Sequence, residues 1–406
     1  MPLVPVLFAA ISRLSDSTLF AALAKNTAIS LVFIVTLQTY YWSARRDRLA
    51  FLVAATATML IMTVSAPVVK HCSAVDYEEG IITELLVLWI LGFLLLVRSV
   101  LSQGSKRNGI HIIASTVVLI ATLIYLSKSS MILILVLTYT LAIIFLLFAR
   151  ASSSQAAILY TSLAFSIFFV GLWGMHNLSH IGKFSVSSTW NGENLYRGSN
   201  SVSLAIYPDL SLDRVMDSRS FILRDGSQLN VAQPAKGRQS FESESEWNTY
   251  YAKLSKEWHL RNPRQSLLFT QKKLNNFFLS IEKSPFSVHD YKSPSLPIET
   301  IESFVVSAWL VFGRIFQLIL IVLTIAVIRR NSTKKKLFIF IIYAALCAYA
   351  IPYIAVFNYE RHITPFLLMV IASTTFVAFV FFAESSKMPY AHRFSVGGRY
   401  GNRDDP

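Results

Sequence analysis

Ionisable residues recur at the ends of the long apolar runs of this chain. The sharpest case is VFNYERHITPFLLMV, residues 356 to 370, where Glu360, Arg361 and His362 stand together at the junction of two apolar segments and Pro365 follows just inside the second. Lys70, His71, Asp76, Glu78, Glu79, Glu84, Lys128, His176 and Arg314 occupy comparable places. A charge beside lipid is costly unless it is paired or hydrated, so charges kept at such positions mark candidate sites. The chemistry open to this set is anion binding and proton transfer. An Arg fork and a Lys ammonium hold phosphate oxygens, while a carboxylate takes up a proton or a divalent metal ion. Charges at such ends also serve only to anchor helices, and that plain role competes with the chemical one at every position.

The elements that must position these groups are membrane spans. Of 406 residues, 54% are hydrophobic and only 15% charged, where soluble proteins carry about a quarter charged. A span needs roughly 20 apolar residues to cross about 30 Å of hydrocarbon. Runs of suitable length fall at 20–42, 49–69, 81–98, 110–127, 131–149, 156–175, 305–328, 337–357 and 363–383, which predicts an all-α polytopic protein of about nine transmembrane helices. Basic residues cluster in alternate connectors: Arg45, Arg46 and Arg48; Arg98, Lys106 and Arg107; Arg150; Arg329, Arg330 and Lys334 to Lys336; and the tail. The excess of Lys and Arg on cytoplasmic loops orients all of them inward. This placement explains the net charge of +14 without a nucleic-acid partner, and the lipid bilayer is the partner it implies.

With those connectors inside, 70–80, 127–130, 176–302 and 358–362 face out. Four regions follow: a first membrane part over 1–175, an external α or α+β cap over 176–302, a last membrane part of three spans over 303–384, and a basic tail over 385–406. Within the cap, 245–260 and 262–281 carry apolar residues at helical spacing, the second opening after Asn262-Pro263. Both suit helices on the bilayer surface or packed within the cap. The interval 184–232 reads as loops and short strands. Arg314 lies 15 residues from Arg329, about 22 Å along a helix, which sets it near the outer headgroups. His176 and His180 have the spacing of two ligands on one helix face, but no acid beside them completes a metal set. Trp190, Tyr196, Trp247, Tyr250, Tyr251 and Trp258 could stack on sugar rings, and equally fill a core.

Several passages carry a likeness to a known family. YERHITPF resembles the Glu-Arg-Tyr-x-x-Pro element of polytopic glycosyltransferases of the GT-C class, which includes protein O-mannosyltransferases and aminoarabinose transferases. SKSSMILIL (127–135) is similar to that family's Thr-Arg-Pro element, with Lys128 in the basic position. WGMHNLSHIGKFSVSSTWNGENLYRGSN (173–200) resembles the passage into the external domain, and RNPRQSLLFTQKKLNNFF resembles the Asn-Pro … Lys-Leu-x-x-Phe-Phe helix before the returning spans. APVVKHCSAVDYEEG resembles the second external loop.

The resemblance implies transfer of a sugar from a polyprenyl-phosphate donor to a glycan, lipid or protein acceptor outside the cytoplasmic membrane. It implies cations that hold the departing phosphate, for which Lys128, Arg361 and Arg314 are candidates, with Glu360 and His362 beside them. It also implies that the chain starts after the family's first span and its acidic loop. Either the true start then lies upstream, or the acceptor's proton goes to Asp76, Glu78 or Glu79, or the protein no longer catalyses. Two other readings compete: an O-antigen polymerase or ligase, whose working groups would be Arg197, Arg214, Arg219, Arg224 and Arg238 in the large loop, and a non-catalytic polyprenyl-lipid-binding protein.

Overall fold

The computed structural model describes residues 18–43, 48–64, 79–101, 107–148, 153–182, 184–186, 191–210, 212, 215, 220–222, 226–230, 240–281, 297–329, 333–356 and 360–385. Among them are thirteen α-helices and one two-stranded sheet. The first six helices are α1 (Thr18–Ser43), α2 (Arg48–Val64), α3 (Glu79–Leu101), α4 (Arg107–Ser127), α5 (Ile132–Phe148) and α6 (Ser153–Ile181). A polar interval follows, with α7 (Asn191–Arg197), α8 (Ser201–Ile206), β1 (Ser220–Ile222), β2 (Gln228–Asn230), α9 (Glu244–Arg261) and α10 (Pro263–Leu279). The chain then returns through α11 (Pro297–Arg329), α12 (Thr333–Ala355) and α13 (Glu360–Ser385).

Seven of these helices, α3 to α6 and α11 to α13, are long and apolar enough to cross a membrane. The fold is thus all-α and polytopic in character. The two remaining segments of the nine expected from sequence are helical as well, as α1 and α2, and among the described residues of α2 is the shorter apolar helix Phe51–Met62. The leading segment 1–14 lies outside the described residues.

Helices α3 and α13 form the centre of the bundle. In α3 94% of the span is buried and in α13 83%, against 28% in α6 and 17% in α11, whose remaining faces point outward. Helix α3 packs against α1, α4 and α13, and α12 closes the other side against α5. Gly92 permits the tightest of these approaches, because any Cβ there would strike the Tyr40 ring of α1. Trp89 stacks on Phe93 at 5.1 Å, and Phe93 meets Tyr139 of α5 edge-on at 5.1 Å.

Short connectors fix the direction of successive spans. The end of α1 meets the start of α4, where a Cβ at Gly109 would lie 3.2 Å from Ser43 O, and connectors of a few residues join α1 to α2, α3 to α4, α5 to α6 and α11 to α12. They are the connectors rich in Arg and Lys. The second end of the bundle brings together the α4–α5 corner, the end of α12 and the start of α13 through Lys128, Tyr353 and His362, and the end of α6 through the segment 184–186 that Tyr125 and Asn177 hold.

The polar interval sits on this second end with a small core of its own: Ile206, Tyr207, Leu210, Leu212, Val215, Phe221 and Phe269. Its helices begin where sequence rules put them. Asn200 caps α8 by accepting from Ser203 N at 2.8 Å, Ser243 caps α9 by accepting from Glu246 N at 3.2 Å, and Pro263 opens α10. The expected helices at 245–260 and 262–281 are α9 and α10. The interval expected to hold loops and strands also contains the short helices α7 and α8. β1 and β2 pair antiparallel, Phe221 opposite Leu229.

Candidate functional site

Lys128 stands between α4 and the 3₁₀ turn Ser129–Met131, in extended backbone (φ −149°, ψ 108°), so its side chain leaves the corner instead of following a helix. Its ammonium lies 5.7 Å from the centroid of the Tyr353 ring near the end of α12. The Tyr353 ring in turn stacks on buried His362 at 4.4 Å. The hydroxyl of Tyr349, one turn earlier, donates to the His362 carbonyl at 2.9 Å. Beneath these rings Phe277 of α10 stacks on Tyr353 at 6.4 Å and meets Phe366 edge-on at 5.0 Å. Lys128 and His362, far apart in sequence, thus share one aromatic ring between them.

Glu360 and Arg361 occupy the first two positions of α13, immediately before His362, at the same end of the bundle; their side chains lie outside the described set. Glu79 opens α3, with its side chain outside the described set, and Asp76 and Glu78 lie outside the described residues. Helix α13 begins at Glu360, ahead of the apolar segment, and Pro365 sits inside it. A proline there has no N–H to return to the carbonyl four residues back, that of Arg361.

The most buried cation at this end is Lys273 of α10, 1% exposed. Its ammonium donates to the carbonyls of Gly198 at 2.9 Å, Ala355 at 3.2 Å and Val356 at 2.9 Å, and packs 4.4 Å from the Phe269 ring centroid. It therefore joins the α7–α8 loop to the last carbonyls of α12, which a helix end leaves without internal donors. Gly198 is needed for this approach, since a Cβ would collide with the Val356 carbonyl. Burial lowers the Lys273 pKa to about 7. Beside it, His259 bridges Ser199 Oγ at 2.9 Å and Ser266 Oγ at 2.5 Å, and its pKa is lowered by burial and then by the Lys273 charge. Sequence reading passed over Lys273. A signal was present: it falls with Phe269, Asn276 and Phe277 on one buried helical stripe, where a charge is out of pattern.

Arg314, in the middle of α11, is turned to the end of α10. Its guanidinium donates to Phe277 O at 2.8 Å, to Ser280 O at 3.2 and 3.3 Å, and to Gln317 Oε1 at 3.0 Å. These acceptors are protein groups, and they give Arg314 a role in closing α10 that the sequence did not suggest.

The other candidates separate by burial. His176 and His180 have ring centroids 4.1 Å apart on an exposed face of α6, with Trp173 stacked on His176 at 4.9 Å. Among the described residues no three His, Cys, Asp or Glu side chains gather as a metal site would. Trp247 and Tyr251 are buried, and Tyr196 lies 5.1 Å from Tyr251, so these aromatics fill the seam between α7 and α9. Trp190 lies outside the described residues. Arg197 is paired with buried Glu193 in that seam, while Arg214, Arg219, Arg224 and Arg238 lie outside the described residues. In comparisons with protein-family models, curated proteins and solved structures, the chain matches none of them.

Proposed function

We propose that this chain is a multi-spanning glycosyltransferase of the GT-C class, moving a sugar from a polyprenyl-phosphate donor to an acceptor on the outer face of the cytoplasmic membrane. The observation that carries this reading is a convergence. Residues from or beside four of the five passages that resemble the family, 127–135, 173–200, 261–278 and 359–366, meet in one set of contacts. Lys128 lies over Tyr353, Tyr353 stacks on His362 and Phe277, and Lys273 ties Gly198 to Val356. Unrelated surface charges would have no reason to share neighbours across five helices.

In this reading α1 and α2 also cross, giving nine spans. The basic connectors face the cytoplasm and 176–302 forms the external cap. The acceptor hydroxyl attacks the sugar's anomeric carbon, the bond from that carbon to the phosphate oxygen breaks, and its electron pair leaves on polyprenyl phosphate. The hydroxyl proton passes to a carboxylate, for which Asp76, Glu78 and Glu79 are the candidates. Lys128 and Arg361 hold the phosphate as its charge grows, which is where a fixed cation lowers the barrier most. His362, fixed by the Tyr353 ring and by Tyr349, sets the wall of the mouth. Arg314, already engaged with α10, supports the mouth from below.

Purified protein in proteoliposomes, supplied with a polyprenyl-phosphate-linked sugar, tests this. Release of free polyprenyl phosphate, followed by ³¹P NMR, should occur with the natural sequence and fall by at least about tenfold, a barrier change of about 1.4 kcal/mol, in Arg361→Ala. Saturable donor binding without release would instead favour the non-catalytic lipid-binding reading. Neither binding nor release would remove both.

A further inference from the structure

We propose that the C-terminal half of α10 is immersed in the leaflet on the Lys128 side of the membrane, where its outer face contacts lipid acyl chains and Arg314 closes its end. Depth supports this first. Phe277 touches Tyr349 in α12 and Phe366 in α13. Tyr349 lies six residues before Ala355 and Phe366 six residues after Glu360, which puts both contacts about 9 Å inside the helix ends at 1.5 Å per residue. Arg314, which takes the carbonyls of Phe277 and Ser280, lies ten residues inside the apolar run that begins at Phe304. Three spans thus agree that α10 descends below the level of the mouth.

The exposed surface of this half has the composition of a lipid-facing one. Leu274 is 39% exposed, Leu279 69% and Ile281 48%. Nearby, α11 turns out Val311, Phe312, Ile315 and Leu318, which lie in a span and face lipid. Helix α10 has no acid, and the exposed polar residues of this half, Gln271, Lys272 and Asn275, precede its last exposed residues, Leu279 and the following Ile281, which are apolar. Polar groups before and apolar ones at the end match headgroups above and acyl chains below.

A helix that ends at this depth needs help. Its last carbonyls lack internal donors, and no water is available inside hydrocarbon to satisfy them. A guanidinium within an apolar span has the opposite shortage. The bonds from Arg314 to Phe277 O and Ser280 O resolve both, and the cation also meets the negative end of the α10 dipole. Arg314 and the α10 terminus are each the condition for the other to lie in lipid.

Fluorescence quenching tests the proposal directly. In a background of Cys72→Ser and Cys347→Ala, single cysteines replace Leu279, and for comparison Lys253 on the exposed face of α9, and carry an environment-sensitive fluorophore. The protein is placed in vesicles of phosphatidylethanolamine and phosphatidylglycerol. The label at 279 should be quenched by acyl-chain doxyl lipids and be several-fold less accessible to aqueous iodide than the label at 253. Quenching of the 279 label by iodide but not by doxyl lipid would overturn the proposal by putting this face in water. Quenching by neither would overturn it in favour of a covering protein. Arg314→Leu should shift the 279 label towards iodide, and Arg314→Lys should retain most of the lipid contact. The wild-type background alone decides the proposal should Arg314→Leu fail to fold.

Discussion

Two cation sites at the same end of the bundle answer their charges differently. Along the α10 seam, Lys273 and Arg314 donate to fixed main-chain carbonyls: Gly198, Ala355 and Val356 for the first, Phe277 and Ser280 for the second. At the mouth, Lys128 is held over the face of Tyr353. Carbonyls take directed hydrogen bonds and commit a cation to the architecture. A ring face attracts the charge without a directed bond to a carbonyl, and contributes only about 0.5–2 kcal/mol. The difference separates two cations bonded to the main chain of the α10 seam from one packed on a ring at the α4–α5 corner.

Substitutions should reproduce that separation. The largest loss of stability is expected for Arg314→Leu, which abandons two carbonyls at membrane depth, each worth about 1–3 kcal/mol when left unpaired. Thermal unfolding in detergent should show it, with Arg314→Lys recovering part of the loss; an unchanged midpoint would erase the contrast between seam and mouth. Next comes Gly198→Ala, whose methyl group would be driven into Val356 and should cost about 1–3 kcal/mol in the same assay.

Lys273→Met should be comparable or milder near neutral pH, because it strands three carbonyls but also removes a buried charge. Its distinguishing feature is pH dependence. The Lys273 pKa is about 7 in the folded protein against an ordinary 10.5, so between these values the unfolded chain binds more protons and stability rises with pH. Below about pH 7 both states are protonated and this contribution is flat. The stability advantage of the natural protein over Lys273→Met should therefore grow between pH 7 and 9.5. A constant difference would show that Lys273 is not desolvated. The smallest stability change, under about 1 kcal/mol, is expected for Lys128→Ala, whose contact with the Tyr353 ring is weak.

Much of the scaffold was legible because it depends on local pattern. The apolar runs, the alternation of basic connectors, the start of α10 at Pro263 and the extents of α9 and α10 all follow from periodicity, capping and charge. Burial was not legible. Helices α3 and α11 have the same mean hydropathy, yet 94% of one span is buried and 17% of the other, since an apolar side chain is as comfortable against lipid as against protein. Lys128 and His362 were chosen correctly as span-end groups, but their meeting through Tyr353 depends on how α4, α12 and α13 pack. Arg314 was expected near the outer headgroups from its distance to Arg329 alone. Its carbonyl partners come from α10, 34 to 37 residues earlier in the chain, and no local pattern announces them.

Whether the mouth is a phosphate site is tested most directly by comparing two ligands that differ only in that group. A short-chain polyprenyl phosphate and the matching polyprenol would be titrated into the protein in nanodiscs, alongside Lys128→Ala. The natural protein should prefer the phosphate by at least about tenfold, equivalent to about 1.4 kcal/mol, and Lys128→Ala should lose most of that preference while binding the alcohol unchanged. Equal affinity of the natural protein for both ligands, or a preference that survives the loss of Lys128, would contradict a phosphate-binding mouth at this end of the bundle.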